Sequence, residues 1–204
     1  MRLIGMLDSP YVRRVAVSMR FMGISFTHES LSVFRDFDAF AAINPVVKAP
    51  TLVADDGTTL MDSSLILDYL ERLVQPEHRL MPLDMAGYLH AQRMIGLALA
   101  ACEKTVQIVY EHSLRPEEKR HQPWIDRVRL QLLAAYRVLE AEIDTKQQWL
   151  FGPFPCQADI SIAVAWRFTQ GVVAELVAAG DYPALSDFSK RAEALPEFLS
   201  APFD

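Results

Sequence analysis

Three short segments near the start of the chain carry side chains suited to holding a small anionic peptide. The first is Ser9-Pro10-Tyr11. Ser followed by Pro is what the start of a helix favours, with Ser as N-cap and Pro at the first helical position. The same geometry places a hydroxyl beside a helix N-terminus, where negative charge is stabilised and a thiol ionises more easily. The second is Lys48-Ala49-Pro50-Thr51-Leu52. It reads either as a plain strand start with a solvated Lys or, if Pro50 is cis, as a turn that points the Ala49 N–H and C=O outward to pair with an extended peptide. The third is Asp62-Ser63-Ser64, between a strand and a helix. One of the three caps the helix. The rest of the trio suits an amino-acid head group, with Ser63 and its amide on the carboxylate and Asp62 on the ammonium. Each segment has a purely structural reading. Together they fit one ligand with a thiol, a backbone to pair and an α-amino-acid end.

The elements that must position these loops can be read from periodicity. Leu3 to Leu7 is an apolar run suited to a buried strand. Tyr11 to Met22 has Val12, Val15, Ala16, Met19 and Met22 at helical spacing, and Gly23 closes it. Ile24 to Leu31 alternates as a second strand, and Phe34 to Ile43 suits a short helix. Thr51–Ala54 and Thr59–Met61 flank Asp55-Asp56-Gly57, a hairpin signal, and Ser64 to Leu73 is helical. After a Pro-containing linker the chain becomes all helical, with helices expected over 86–112, 123–144, 157–179 and 184–194, the third either buried on most sides or ended early by Gly171. The expected division is 1–75 for a small α/β domain, 76–83 for a linker and 84–204 for a helical domain.

Composition limits the function. The chain has 204 residues and a net charge of -6, which argues against general binding to nucleic-acid phosphates. The two cysteines, Cys102 and Cys156, are too few for a disulfide framework. Neither they nor the scattered histidines show metal-ligand spacing, so no metal is expected. No signal-peptide pattern is read at the start and no membrane span is expected, so a reducing cytoplasmic setting is expected.

These segments resemble those of the cytosolic glutathione transferase family, over essentially the whole chain. Ser9-Pro10-Tyr11-Val12-Arg13 looks like the active-site start of the serine classes. Asn44-Pro45-Val46-Val47-Lys48-Ala49-Pro50-Thr51-Leu52 resembles the N-P-x-G-K-[VI]-P-x-L stretch. Asp62-Ser63-Ser64-Leu65-Ile66 resembles [ED]-S-x-A-I, and Ala158-Asp159-Ile160-Ser161 resembles the start of the family's buried helix. The resemblance implies a thioredoxin-like α/β N-terminal domain followed by an all-α domain. It also implies a cis Pro50, an Ala49 backbone paired with the cysteinyl unit of glutathione, and Asp62 and Ser63 on the γ-glutamyl end. Val47 stands where the family has Gly, so that turn is expected to differ. Cys156 stands where a Ser or Thr caps the buried helix, which is expected to weaken the cap by up to about 1 kcal/mol. Leu65 replaces a small Ala.

The expected activity is conjugation of the glutathione thiolate, stabilised by Ser9, to a small hydrophobic electrophile. Glutathione serves as substrate or cofactor, and the family's usual state is a homodimer. Lys48 adds positive charge, and Arg35 is a candidate for the glycyl carboxylate. Met94, Leu97, Ala101, Tyr110 and Trp166 are candidates for the electrophile pocket. Tyr11 is a further candidate, although an inward, core-facing position is expected for it. The absence of Cys from the first domain argues against mixed-disulfide chemistry. Two rivals are a non-catalytic glutathione-binding or protein-partner member of the same fold and a glutathione-dependent isomerase. Asp8-Ser9-Pro10 lacks the Ser-Ser-Cys-type run usual in the maleylacetoacetate isomerases.

Overall fold

The computed structural model describes residues 1–203. The chain forms two compact units: Met1–Leu80 together with the segment from Ala194 onward, and Met81–Glu193. In the first unit, β1 (Arg2–Ile4) pairs parallel with β2 (Thr27–Glu29) and antiparallel with β3 (Thr51–Val53), and β3 pairs antiparallel with β4 (Thr59–Met61). The strand order is β2-β1-β3-β4. A parallel pair needs a crossover, and α1 (Pro10–Phe21) supplies it. Leu3 sits opposite Leu52, and Leu3, Ile4 and Leu52 are wholly buried with Val12, Val15 and Met19 of α1. This is the α/β core that the alternating and helical periodicities predict.

β1 and β2 are shorter than their apolar patterns. β1 stops at Ile4 because Gly5 turns away with φ 133. A Cβ on Gly5 would lie 2.6 Å from Val12 Cγ2 and 3.1 Å from the Ala49 Cβ, so glycine lets α1 and the Pro50 loop meet over the end of β1. β2 is an edge strand with no fully buried residue. α2 (Phe37–Ile43) starts later than the apolar pattern from Phe34 suggests. Residues 32–36 form a side-chain-closed turn instead: Ser32 N–H donates to Asp36 Oδ2 (2.9 Å), and the Phe34 and Arg35 amides donate to Ser32 Oγ. α3 (Ser63–Glu71) follows β4 directly.

The C-terminal segment groups with the first unit through α8 (Pro196–Leu199), an element with no clear periodic signal. Arg13 is buried, donates from Nε to the Ala201 carbonyl (2.8 Å) and lies 5.6 Å from the Phe198 ring centre. Arg13 thus ties α1 to the end of the chain.

The second unit is built from α4 (Met85–Ser113), α5 (Gln122–Glu142), α6 (Gln157–Val172) and α7 (Pro183–Glu193). α6 is buried over nearly its whole length. It ends at Val172, one residue past Gly171, in line with the early end expected there rather than at residue 179. Val173 leaves the helix with φ -144, and the Gln170 side chain donates to the Val177 carbonyl (2.8 Å), closing a turn there. A hydroxyl network lies inside the unit. The fully buried Tyr136 hydroxyl contacts the Ala165 carbonyl (3.0 Å) and Thr169 Oγ1 (2.6 Å), and Thr169 Oγ1 meets Thr105 Oγ1 at 2.8 Å. Among the described residues no helix is long and apolar enough to cross a membrane.

Candidate functional site

The three loops of the first unit meet through contacts that the helices and strands impose. Ser9 is the N-cap of α1, with extended backbone angles, and its Oγ accepts from the Val12 amide at a long 3.4 Å. Accepting that bond leaves the Ser9 O–H free to donate. Ser9 is half-buried, and Pro10 occupies the first helical position. Beside it, burial raises the Asp8 carboxyl from its ordinary value; the Ser9 amide and the Arg35 charge act in the opposite direction. An ionised Asp8 opposes a second negative charge at Ser9, and Arg35 offsets that opposition.

The second loop carries a cis peptide bond between Ala49 and Pro50. Pro50 is buried and Ala49 half-buried. Neither the Ala49 N–H nor its carbonyl is taken by another described residue, so both remain for an extended ligand backbone. The loop is held from below by Asn44, which is buried. Its Nδ2 donates to Thr51 Oγ1 (2.8 Å), and Thr51 Oγ1 donates to the Lys48 carbonyl (2.7 Å). Asn44 Oδ1 accepts from the Val46 amide (3.0 Å), and Val47 sits in the left-handed region with φ 51. The turn thus keeps a glycine's backbone conformation with a β-branched residue in it, at a steric cost of about 1–2 kcal/mol.

In the third loop Asp62 is the cap of α3: its Oδ1 accepts from the amides of Ser64 (2.9 Å) and Leu65 (3.4 Å). Its backbone has φ 74, another left-handed non-glycine residue. Lys48 Nζ lies 3.9 Å from Asp62 Oδ2 and joins the second loop to the third. Both side chains are about half exposed, so the pair contributes little to stability and remains available to a ligand. Ser63 is buried as the first residue of α3, and its Oγ accepts from Arg14 Nη1 of α1 (3.1 Å). Sequence reasoning missed this Arg14 contact and the Asn44–Thr51 bond. One helical turn on, the buried Ser18 hydroxyl bonds back to the Arg14 carbonyl (2.7 Å).

The remaining candidates are distributed differently. Arg35 is exposed, with Nη2 3.3 Å from the Met6 sulfur. Tyr11 is partly buried. In the second unit Met94, Ala101 and Trp166 are buried side chains of the helical core. Met94 and Ala101 share a face of α4 with the buried Ala98 and Thr105, and Trp166 stacks edge-on against Tyr136 (5.1 Å) and Tyr182 (5.6 Å). Leu97 is partly buried and Tyr110 is exposed. Cys102 and Cys156 are both buried, and neither forms a disulfide.

Residues 3–78 match the family model of the glutathione S-transferase N-terminal domain, and residues 99–196 that of the glutathione S-transferase C-terminal domain. The chain belongs to the glutathione transferase family. Its fold is similar to a glutathione S-transferase of Methylobacterium radiotolerans solved in complex with glutathione sulfonate. The TM-score is 0.91 at 27% identity, over 100% of this chain and 95% of that one. A glutathione transferase family member of Pseudomonas fluorescens Pf-5 with bound glutathione is 30% identical, with a TM-score of 0.85, over 98% of this chain and 97% of that one. Among curated proteins, the maleylacetoacetate isomerase of Pseudomonas aeruginosa is 26% identical over 92% of this chain and 89% of its own length. The uncharacterised GST-like protein YibF of Escherichia coli is 27% identical over 69% of this chain and 68% of its own length.

Proposed function

We propose that this protein binds reduced glutathione in its first unit and transfers the thiolate to a small hydrophobic electrophile. The observation that carries this reading is the open Ala49 backbone at the cis Pro50 turn, flanked by the Ser9 hydroxyl and by the Asp62-Ser63 start of α3. In this reading the cysteinyl unit pairs with Ala49. The γ-glutamyl ammonium goes to Asp62 and its carboxylate to Ser63, while Lys48 and Arg35 add positive charge for the carboxylates. Ser9 donates to the sulfur, and the N-terminus of α1 favours the anion. A free thiol has a pKa near 8.5. Lowering it by about one to two units corresponds to roughly 1.4–2.7 kcal/mol, within reach of a charged hydrogen bond plus a helix end. No protein thiol lies in the first unit, so the nucleophile is the ligand's own sulfur.

The protein is assigned a reducing, cytoplasmic setting and a homodimeric state. In support of the dimer, Met85 and Leu89 lie one turn apart on α4, with Leu83 just before them, at 78%, 70% and 76% exposure. The similarity to a maleylacetoacetate isomerase supports a second reading, in which glutathione adds to a substrate double bond and leaves again after isomerisation. Retention on immobilised glutathione tests binding: elution by free glutathione is expected, and passage without retention contradicts it. A panel of aromatic halides, epoxides and unsaturated ketones then separates the two reactions. Consumption of glutathione in step with the electrophile marks transfer. Turnover of a cis-configured unsaturated diketo acid at constant glutathione marks isomerisation.

A further inference from the structure

We propose that Arg14 is a positioning residue for the γ-glutamyl end of the bound tripeptide, aiming and polarising the Ser63 hydroxyl toward the ligand's α-carboxylate. The inference rests on the glutathione reading above and adds a residue to it. Arg14 lies in the second turn of α1 and is 3% exposed. Its Nη1 lies 3.1 Å from Ser63 Oγ and 3.1 Å from Ser64 Oγ. A guanidinium only donates, so both hydroxyl oxygens act as acceptors in these bonds. Each hydroxyl then keeps its single O–H as a donor, and accepting from a cation makes that O–H a stronger one.

The surroundings of Ser63 fix where that donor is useful. Ser63 is the first residue of α3 and is 4% exposed. The Asp62 carboxylate already accepts from the amides of Ser64 and Leu65. Besides the exposed Ser64 hydroxyl, the donors left at this helix start are the Ser63 N–H and its hydroxyl, a pair on one residue suited to one carboxylate. Arg14 supplies positive charge from behind the hydroxyl, where a ligand need not displace it. Lys48, by contrast, is exposed and faces Asp62, so it does not orient Ser63.

The test compares reduced glutathione with an analogue whose γ-glutamyl α-carboxylate is a carboxamide, by calorimetric titration of the full chain. The wild type is expected to prefer glutathione by about tenfold or more, the scale of one charge-assisted hydrogen bond. Arg14→Gln is expected to reduce that preference to within about threefold, and Arg14→Lys, which keeps the charge but not the two-serine geometry, to leave an intermediate value. If Arg14 only ties α1 to α3, both ligands weaken together and the preference survives. That result, in Arg14→Gln or in Arg14→Lys should the first variant not fold, overturns the proposal. A wild type that binds neither ligand overturns the glutathione reading itself, and this inference with it.

Discussion

At the scale of single residues, the two left-handed non-glycine positions behave differently. Asp62 adopts φ 74 while its carboxylate caps α3, so its side chain offsets the backbone cost. Val47 adopts φ 51 with no such return, in a turn held by Asn44 on one side and Thr51 on the other. Val47→Gly is therefore expected to raise the unfolding free energy by about 1 kcal/mol, read by urea denaturation. A loss of stability would mean that the valine side chain contributes more packing than its backbone costs. Residue identity made Asp62 readable as a site residue and Val47 as a departure. The Arg14 guanidinium was not readable in the same way, because an arginine in an apolar helix pattern gives no sign of which partner satisfies it.

At the scale of elements, the start of α6 shows how a weak cap is rescued. Cys156 does act as N-cap, and its sulfur accepts from the Ala158 amide at 3.3 Å. Asp159 closes the box: Oδ2 accepts from the Cys156 amide (2.8 Å) and Oδ1 from the Leu150 amide (2.9 Å). The weaker cap expected from cysteine alone is thus joined by a carboxylate that also fixes the loop before the helix. Burial pushes the Asp159 carboxyl up despite these bonds, and it pushes the Cys156 thiol up strongly, so that thiol stays protonated and unreactive. The sign for Asp159 follows from the raised folded value. Its contribution to stability is fully present below the unfolded value, about pH 3.9, and is lost as pH rises through the folded value. Relative to Asp159→Asn, the wild type is expected to lose stability as pH rises from about 4, read by denaturant unfolding across a pH series. Parallel pH profiles would contradict this. Helical spacing located this helix and its Asp, and Gly171 marked its early end; the Gln170 side-chain bond that closes the turn beyond it is not encoded by periodicity.

At the scale of the whole molecule, the order of strands and helices was legible because apolar periodicity changes from mixed to purely helical near residue 84. The return of the C-terminal segment to the first unit was not, since α8 is four residues long and its anchor is the buried Arg13, a residue type that pattern reading places at the surface. Electrophile-pocket residues were the least legible, because a buried Met or Trp in a helix and one that lines a cleft share the same spacing. The exposed Leu83, Met85 and Leu89 predict a dimer, expected as twice the 23.0 kDa chain mass in sedimentation equilibrium, with Leu89→Glu shifting it toward monomer. A monomer at all concentrations would contradict it. The central claim is the thiolate at Ser9, and the most direct measurement is the pH titration of bound glutathione followed by thiolate ultraviolet absorbance. The wild type is expected to show a thiol pKa about one to two units below the free value near 8.5, and Ser9→Ala to return it most of the way. An unshifted thiol in the wild type, or the same lowered value in Ser9→Ala, would contradict the account.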